Sequence, residues 1–277
     1  MGHPLVSLII KRFFMAAVLD RIIAATRGRV AEARRGADLR ELEQRAERHV
    51  PRGFRRALAA KSGAAVIAEL KKASPSRGLI RAEFRPEELA RELEAAGAAA
   101  LSVLTDEEFF QGSLGNLREA SGAVAIPCLR KDFIVDEFQL VEARANSADA
   151  ILLIVAALSS AELDALASGA RARGLDVLCE VHDGDELQRA LDAGCDLIGV
   201  NTRDLRTFRV DLATAFTLAE KIPVGVVRVA ESGIHSASDL ERLRAAGYDA
   251  FLVGESLMRA ASPGEALREL LSAVPSS

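Results

Sequence analysis

The sequence predicts a (β/α)8 TIM barrel with extra N-terminal helices, on three observations. A unit recurs in which a helix rich in Ala, Glu and Arg ends at glycine or a small residue and enters a short apolar run two or three residues later. Eight such runs can be counted, each uniformly apolar rather than alternating, as in parallel strands buried on both faces. The connections between them leave no room for a second domain, so the strands close on one another instead of splitting into two halves.

Taken in order, residues 1–18 read as an N-terminal extension outside the barrel, of which residues 1–14, before Met15, come from an upstream start or form a loose arm, and residues 19–277 as one barrel domain. The stretch Pro4 to Leu19 is oily but carries Lys11 and Arg12 in its middle. A secretory signal would place positive charge before the apolar segment, so export is not expected. The helical patterns LDRIIAATRGRVAEARR and FRRALAAK then predict helices packed on the barrel. The eight strands follow as VIAEL (66–70), ALSVL (100–104), IPCLRK (126–131), AILLIV (150–155), VLCEV (177–181), LIGVN (197–201), VVRVAE (226–231) and AFLVG (250–254). Before four of them stand Gly97, Gly174, Gly194 and Gly247, where glycine suits the left-handed position after a helix, and before a fifth the small residues Ser147 and Ala148. The competing topology is a doubly wound open sheet.

Lys and Arg number 36 against 40 Asp and Glu, a formal charge of −4. Such a balance argues against sequence-independent nucleic-acid binding, which needs a basic surface. No apolar run reaches the roughly 18 residues of a membrane span. Cys128, Cys179 and Cys195 form neither a C-x-x-C pair nor an even disulfide framework, which fits a reducing cytoplasm.

In a barrel, alternate strand residues point inward and chemistry collects at the carboxyl ends. Strand one then places Ala65, Ile67, Glu69 and Lys71 on one face; strand three Pro127, Leu129 and Lys131; strand five Leu178, Glu180 and His182; strand seven Val227, Val229 and Glu231. Strand six adds Gly199, Asn201 and, just beyond, Arg203. Each row runs apolar and ends in charge or amide. One such residue would be a solvated rim group, but Glu69, Lys71, Lys131, Glu180, Asn201, Arg203 and Glu231 converging from several strands read as a site, because buried charges are costly unless paired or used. Lysines beside carboxylates suit proton transfer on an organic substrate. His182, a lone histidine beside the ring, reads as a rim or hydrogen-bonding residue. No metal is expected, since only His182 of the four histidines lies near the ring and Cys128 and Cys179 face away from it. Neither a G-x-G-x-x-G nor a G-x-x-x-x-G-K-[ST] fingerprint is present, so no nucleotide cofactor is expected.

Ser232-Gly233 after strand seven and Gly254-Glu255-Ser256 after strand eight occupy the loops where barrels cradle phosphate with backbone N–H groups. Ser74-Pro75-Ser76-Arg77-Gly78, after strand one, offers hydroxyl donors on a rigid turn and reads as a lid or clamp.

The stretches IAELKKASPSRG, LSVLTDEEFFQGS, LRKDFIVDEFQ, GVNTRDL, VAESGI and FLVGESLMR together resemble the indole-3-glycerol phosphate synthase family of tryptophan biosynthesis, from about Leu19 to Arg259. The resemblance implies a cofactor-free, metal-free lyase that closes the pyrrole ring of 1-(2-carboxyphenylamino)-1-deoxyribulose 5-phosphate, releasing CO₂ and water. It implies Lys131 as general acid, Glu180 as base in the dehydration, Lys71 as second proton donor or anion partner with Glu69 tuning it, and Asn201 and Glu231 holding substrate hydroxyls and the lysines. It assigns Arg203 to the carboxylate, Ser74, Ser232, Gly233, Gly254 and the Glu255 backbone to the phosphate, and Phe110, Phe133, Leu152 and Ile154 to an apolar slot for the anthranilate ring. Gln111 stands where the family commonly has Asn, and Glu255 where Ser or Ala is frequent. The expected partner is a small phosphorylated molecule, with no nucleic acid or membrane. A monomer in weak association with other tryptophan-pathway enzymes is the accompanying expectation. The alternatives are another sugar-phosphate barrel, such as an isomerase, which would need a carboxylate and thiol pair facing inward, and a non-catalytic phosphate-binding barrel, which would ordinarily forfeit the lysines.

Overall fold

The computed structural model describes residues 4–61, 63–203 and 212–272, with side chains from residue 19 onward. Eight parallel strands close into a barrel: β1 Ala65–Leu70, β2 Ala100–Leu104, β3 Cys128–Lys131, β4 Ala150–Ile154, β5 Asp176–Val181, β6 Leu197–Asn201, β7 Val227–Glu231 and β8 Ala250–Val253. Each strand pairs with its sequence neighbour, and β1 closes the ring on β8 through Ala65↔Ala250 to Ala68↔Val253. The predicted barrel is therefore the observed one.

Five helix ends show how the chain turns back into a strand. Gly97, Gly174, Gly194 and Gly247 all take positive φ, between 71° and 102°, and Ser147 does the same at 66°. After each, the next backbone N–H donates back into the last helical turn, as from Ala98 to Leu93 O, Leu175 to Ala170 O and Tyr248 to Leu243 O. These bonds satisfy carbonyls that the helix end leaves unpaired and aim the chain into the following strand.

Two apolar layers result from strand alternation. Residues such as Val66, Leu101, Cys128, Ile151 and Cys179 pack outward under the helices, whereas Ile67, Leu129, Leu152, Leu178, Val229 and Leu252 fill the interior. Helices α1 Pro4–Gly36, α2 Leu39–Arg48 and α3 Phe54–Ala60 precede β1. Helix α3 does more than pack on the outside, because Phe54 and Leu58, both fully buried, belong to the interior cluster and close the amino end of the barrel. Burial of side chains this size stabilises by about 1.5–3 kcal/mol each. The stretch read as an N-terminal extension continues α1 from Pro4, while residues 1–3 lie outside the described part, as do Asp204 and Leu205 of the GVNTRDL motif and residues 273–277 at the end of the predicted domain.

At that same closed end, the buried Asp149 carboxylate receives the backbone N–H groups of Arg52 and Cys128 at 2.7 and 2.6 Å, and the Arg52 guanidinium at 2.5 Å. This anchor fastens the N-terminal segment to the barrel, away from the chemistry. Among the described residues no helix is long and apolar enough to cross a membrane.

Candidate active site

A pocket opens at the carboxyl end of the strands, lined by Glu69, Lys71, Lys131, Glu180, Asn201, Arg203 and Glu231, the whole predicted ring. The apolar residues Phe110, Phe133, Leu152 and Ile154 form part of its wall, as do Ser74, Ser232, Gly233, Gly254 and Glu255. Every site residue predicted from the sequence thus borders one cavity.

The ionic core is built by parity: Glu69, Lys131, Glu180 and Glu231 each follow the last apolar inward residue of their strand. Lys131 Nζ lies 3.5 Å from Glu180 Oε2 and 3.5 Å from Glu231 Oε2. Lys71 Nζ pairs with Glu69 Oε1 at 2.5 Å. Two glycines leave room for these carboxylates. A Cβ on Gly199 would stand 2.0 Å from Glu231 Oε1, and one on Gly254 would stand 2.4 Å from Glu69 Oε1. Gly254, expected at the phosphate, therefore also seats Glu69.

Electrostatics divides the cluster. Burial alone would raise the Glu180 carboxyl, but the Lys131 ammonium and His182 outweigh it and hold Glu180 well below the usual carboxylate range. Burial would lower Lys131, but Glu231, Glu180 and Glu69 outweigh it and hold the ammonium above the ordinary lysine value. Glu231 yields instead: burial and the neighbouring Glu180 push it up to about 8, against the pull of Lys131. Two carboxyls sharing one cation do not both ionise easily, and the one without a second cation keeps its proton. Neither Glu231 oxygen meets a hydrogen-bonding partner in good geometry among the described residues. The arrangement at neutral pH is an ammonium, an ionised base and a protonated carboxyl facing one space.

Behind β3, Arg130 fixes the backbone that carries Lys131. Its guanidinium, itself buried, pairs with Asp132 at 3.0 Å and Glu142 at 2.8 Å and donates to the Gln139 carbonyl, while Thr105 Oγ1 donates to Asp132. The turn after β7 is held by Thr202 Oγ1, which donates to the carbonyls of Glu231 and Ser232 at 3.0 Å each. Ser232 takes φ 66° and Gly233 φ 75°. A left-handed serine costs about 1–2 kcal/mol, and strain of this kind collects at functional sites. The loop after β1 forms a small hairpin in which Ala73–Ser74 pairs with Gly78–Leu79. Glu255 turns its carboxylate to Arg77 and Arg259, both at 3.1 Å, so its side chain is engaged by neighbouring cations. Gln111 adopts φ 50°, a conformation that asparagine accepts more readily.

Several pocket residues escape the sequence reading. Leu19 and Ile22 of α1 lie on the wall, and α1 is tied to the mouth by Arg29, whose guanidinium pairs at 2.7 Å with the buried Asp106 that caps the turn carrying Phe110. Phe110 and Phe133 stand with ring centroids 6.3 Å apart. Asp132, Ile234 and His235 also reach the pocket. His182 is the hydrogen-bonding residue of the two readings, bonded to Glu186 with its ring lying between Glu180 and Glu186. Among the described residues no group of three or more His, Cys, Asp and Glu is placed to hold a metal ion.

Comparison with known proteins follows the same lines. Residues 19–270 match the family model described as Indole-3-glycerol phosphate synthase. The chain is 61% identical over 259 residues to the indole-3-glycerol phosphate synthase of Koribacter versatilis (strain Ellin345), covering 93% of this chain and 100% of that relative. It is 51% identical over 259 residues to that of Burkholderia ambifaria (strain MC40-6), covering 92% and 99%. In fold alone it resembles 3-hexulose-6-phosphate synthase from Salmonella typhimurium, with TM-score 0.60, 14% identity and coverage of 76% of this chain and 97% of that one. Thiamine phosphate pyrophosphorylase from Pyrococcus furiosus gives TM-score 0.58 at 17% identity, covering 76% and 94%.

Proposed function

The chain belongs to the indole-3-glycerol phosphate synthase family, and from that membership we propose the residue roles by which its barrel mouth closes the indole ring. The reaction is a decarboxylating cyclisation of tryptophan biosynthesis. The aromatic carbon bearing the carboxylate attacks the ketone carbon of the deoxyribulose chain, forming a C–C bond as the carbonyl oxygen takes a proton. The bond to CO₂ then breaks and returns its electron pair to the ring, and loss of the new hydroxyl as water completes the indole.

Lys131 is the general acid of the first step. The observation that carries this role is its Nζ held 3.5 Å from each of two carboxyls at the pocket wall, a placement that favours its protonated form beside the space proposed for the substrate. Glu180, held ionised, takes the proton released in the dehydration. Lys71, oriented by Glu69, supplies a proton to the departing hydroxyl or pairs with a substrate anion. Glu231, raised toward its protonated form and with neither oxygen in a hydrogen bond of good geometry, and Asn201 hold substrate hydroxyls. Arg203 takes the carboxylate, and Phe110, Phe133, Leu152 and Ile154 grip the aromatic ring in surroundings that disfavour a carboxylate charge. Ser74 and the loops at Ser232-Gly233 and Gly254-Glu255 seat the phosphate with backbone N–H groups.

The pocket-lining residues described all come from one chain, in keeping with the proposed monomer, and three buried free cysteines support a reducing, cytoplasmic setting. A weak association with other tryptophan-pathway enzymes completes the reading. The purified protein is expected to convert the carboxyphenylamino deoxyribulose phosphate to indole-3-glycerol phosphate, followed by product fluorescence. Glu180→Gln is expected to lower turnover about 10²- to 10⁴-fold, the usual worth of a positioned acid or base; full turnover in that variant would remove Glu180 from the mechanism.

A further inference from the structure

His182 lies two residues beyond Glu180, so strand pleating brings both side chains to the barrel mouth. Its Nδ1 is 3.0 Å from Glu186 Oε2, and the same oxygen accepts the His182 backbone N–H at 2.8 Å. Glu186 belongs to the first turn of the helix Gly184–Asp192, capped by Asp183. The opposite nitrogen, Nε2, faces Glu180 Oε1 at 3.4 Å, within ion-pair reach though not in hydrogen-bonding geometry. An ionised carboxylate only accepts hydrogen bonds, so Nδ1 carries a proton toward Glu186. A neutral ring would then turn the Nε2 lone pair toward a second carboxylate. The doubly protonated ring alone suits both sides.

We propose that His182 is a positioning residue for ring closure: an imidazolium clamped between Glu186 and Glu180 that keeps Glu180 ionised after Lys131 has given its proton to the substrate. The inference rests on the reading of Lys131 as acid and Glu180 as base. Glu180 is faced by Lys131 of β3, Glu231 of β7, Glu69 of β1 and Asn201 of β6, besides His182 itself. Of these, only Lys131 and His182 carry positive charge, and Lys71 is engaged by Glu69. When Lys131 protonates the carbonyl oxygen, its charge leaves the pair. A buried carboxylate stripped of its cation would bind a proton and lose the lone pair needed for the dehydration. His182, whose own counter-ion Glu186 lies on the far side, supplies the charge that stays. Burial would lower the imidazole, but Glu180 and Glu186 outweigh it and raise it to about 10, in accord with the geometry.

The test combines two readouts on the full chain. Histidine side-chain ¹⁵N NMR is expected to show both His182 ring nitrogens protonated through pH 8; a neutral tautomer, or titration near the ordinary histidine value, would overturn the proposal. In His182→Gln the acid limb of the kcat–pH profile is expected to move up by about one unit or more, the size of shift that loss of a contacting opposite charge produces, with KM little changed. An unmoved limb in a folded variant would also overturn it. Glu180→Gln separates the layers. If that variant keeps full turnover, the base reading fails and takes this inference with it, whereas an inactive Glu180→Gln beside an unshifted His182→Gln profile rejects His182 alone.

Discussion

Lys131 at the end of β3 and Glu180 on β5 meet across the barrel mouth, Nζ to Oε2 at 3.5 Å, although 49 positions and a whole strand separate them. An acid and a base are thereby set side by side without neutralising each other, because each is held charged by the other and by further neighbours. Glu231, which shares the same ammonium from β7, stays protonated, and this asymmetry leads to a first prediction.

Glu231 is raised from an ordinary carboxyl to about 8 in the folded chain. A raised folded value means that its contribution to stability is fully present below the unfolded value, near 4.5, and is lost as pH rises through about 8. Urea unfolding of the native chain is therefore expected to show a falling contribution across that window, levelling above it. Glu231→Gln, which fixes a neutral group of the same shape, removes this component. If native and variant chains show parallel stability profiles from pH 4.5 to 9, the assignment of Glu231 as the protonated member is wrong.

Gly199 gives a second, steric prediction. A methyl group there would overlap Glu231 and press on Leu178, its Cβ lying 3.2 Å from Leu178 Cδ1. Gly199→Ala is expected to displace the Glu231 carboxyl and to destabilise by about 1–3 kcal/mol, the usual range for overpacking, with a marked loss of kcat. Chemical denaturation and steady-state kinetics check both. Wild-type values in both assays would mean that Glu231 can leave this position without consequence.

The fold was legible because its signals are local. Five of the αβ units carry their own helix stop and all carry a buried run, and period-two parity alone projects Glu69, Lys131, Glu180 and Glu231 to one end. What escaped is non-local. Nothing around Arg29 announces that it will reach Asp106, 77 positions away, and so bring Leu19 and Ile22 over the mouth. Phe54 and Leu58 read as an ordinary amphipathic helix, and only the closed barrel shows that they plug its floor. His182 looked solitary because its partner Glu186 lies across a strand-to-helix turn, although the four-residue spacing was a signal that could have found it. The protonated state of Glu231 depends on burial and on which carboxyl holds a second cation, which residue type alone does not reveal.

Glu255 supplies a third prediction. Its carboxylate borders the loops proposed to seat the phosphate but is engaged by Arg77 and Arg259. Glu255→Ser removes a negative charge beside the anion seat and frees Arg77, so KM is expected to fall about two- to fivefold, the equivalent of a partly exposed charge worth about 0.3–1 kcal/mol, with kcat unchanged. A rise in KM would show instead that the Glu255 side chain organises the seat.

The central claim is that Lys131 donates the proton that drives ring closure, and it is tested most directly by single-turnover measurement on Lys131→Met with substrate binding measured separately. The account predicts retained binding and product formation slowed about 10²- to 10⁴-fold, the contribution expected of a general acid. Product formed at the native rate by a Lys131→Met chain that binds substrate normally would contradict it.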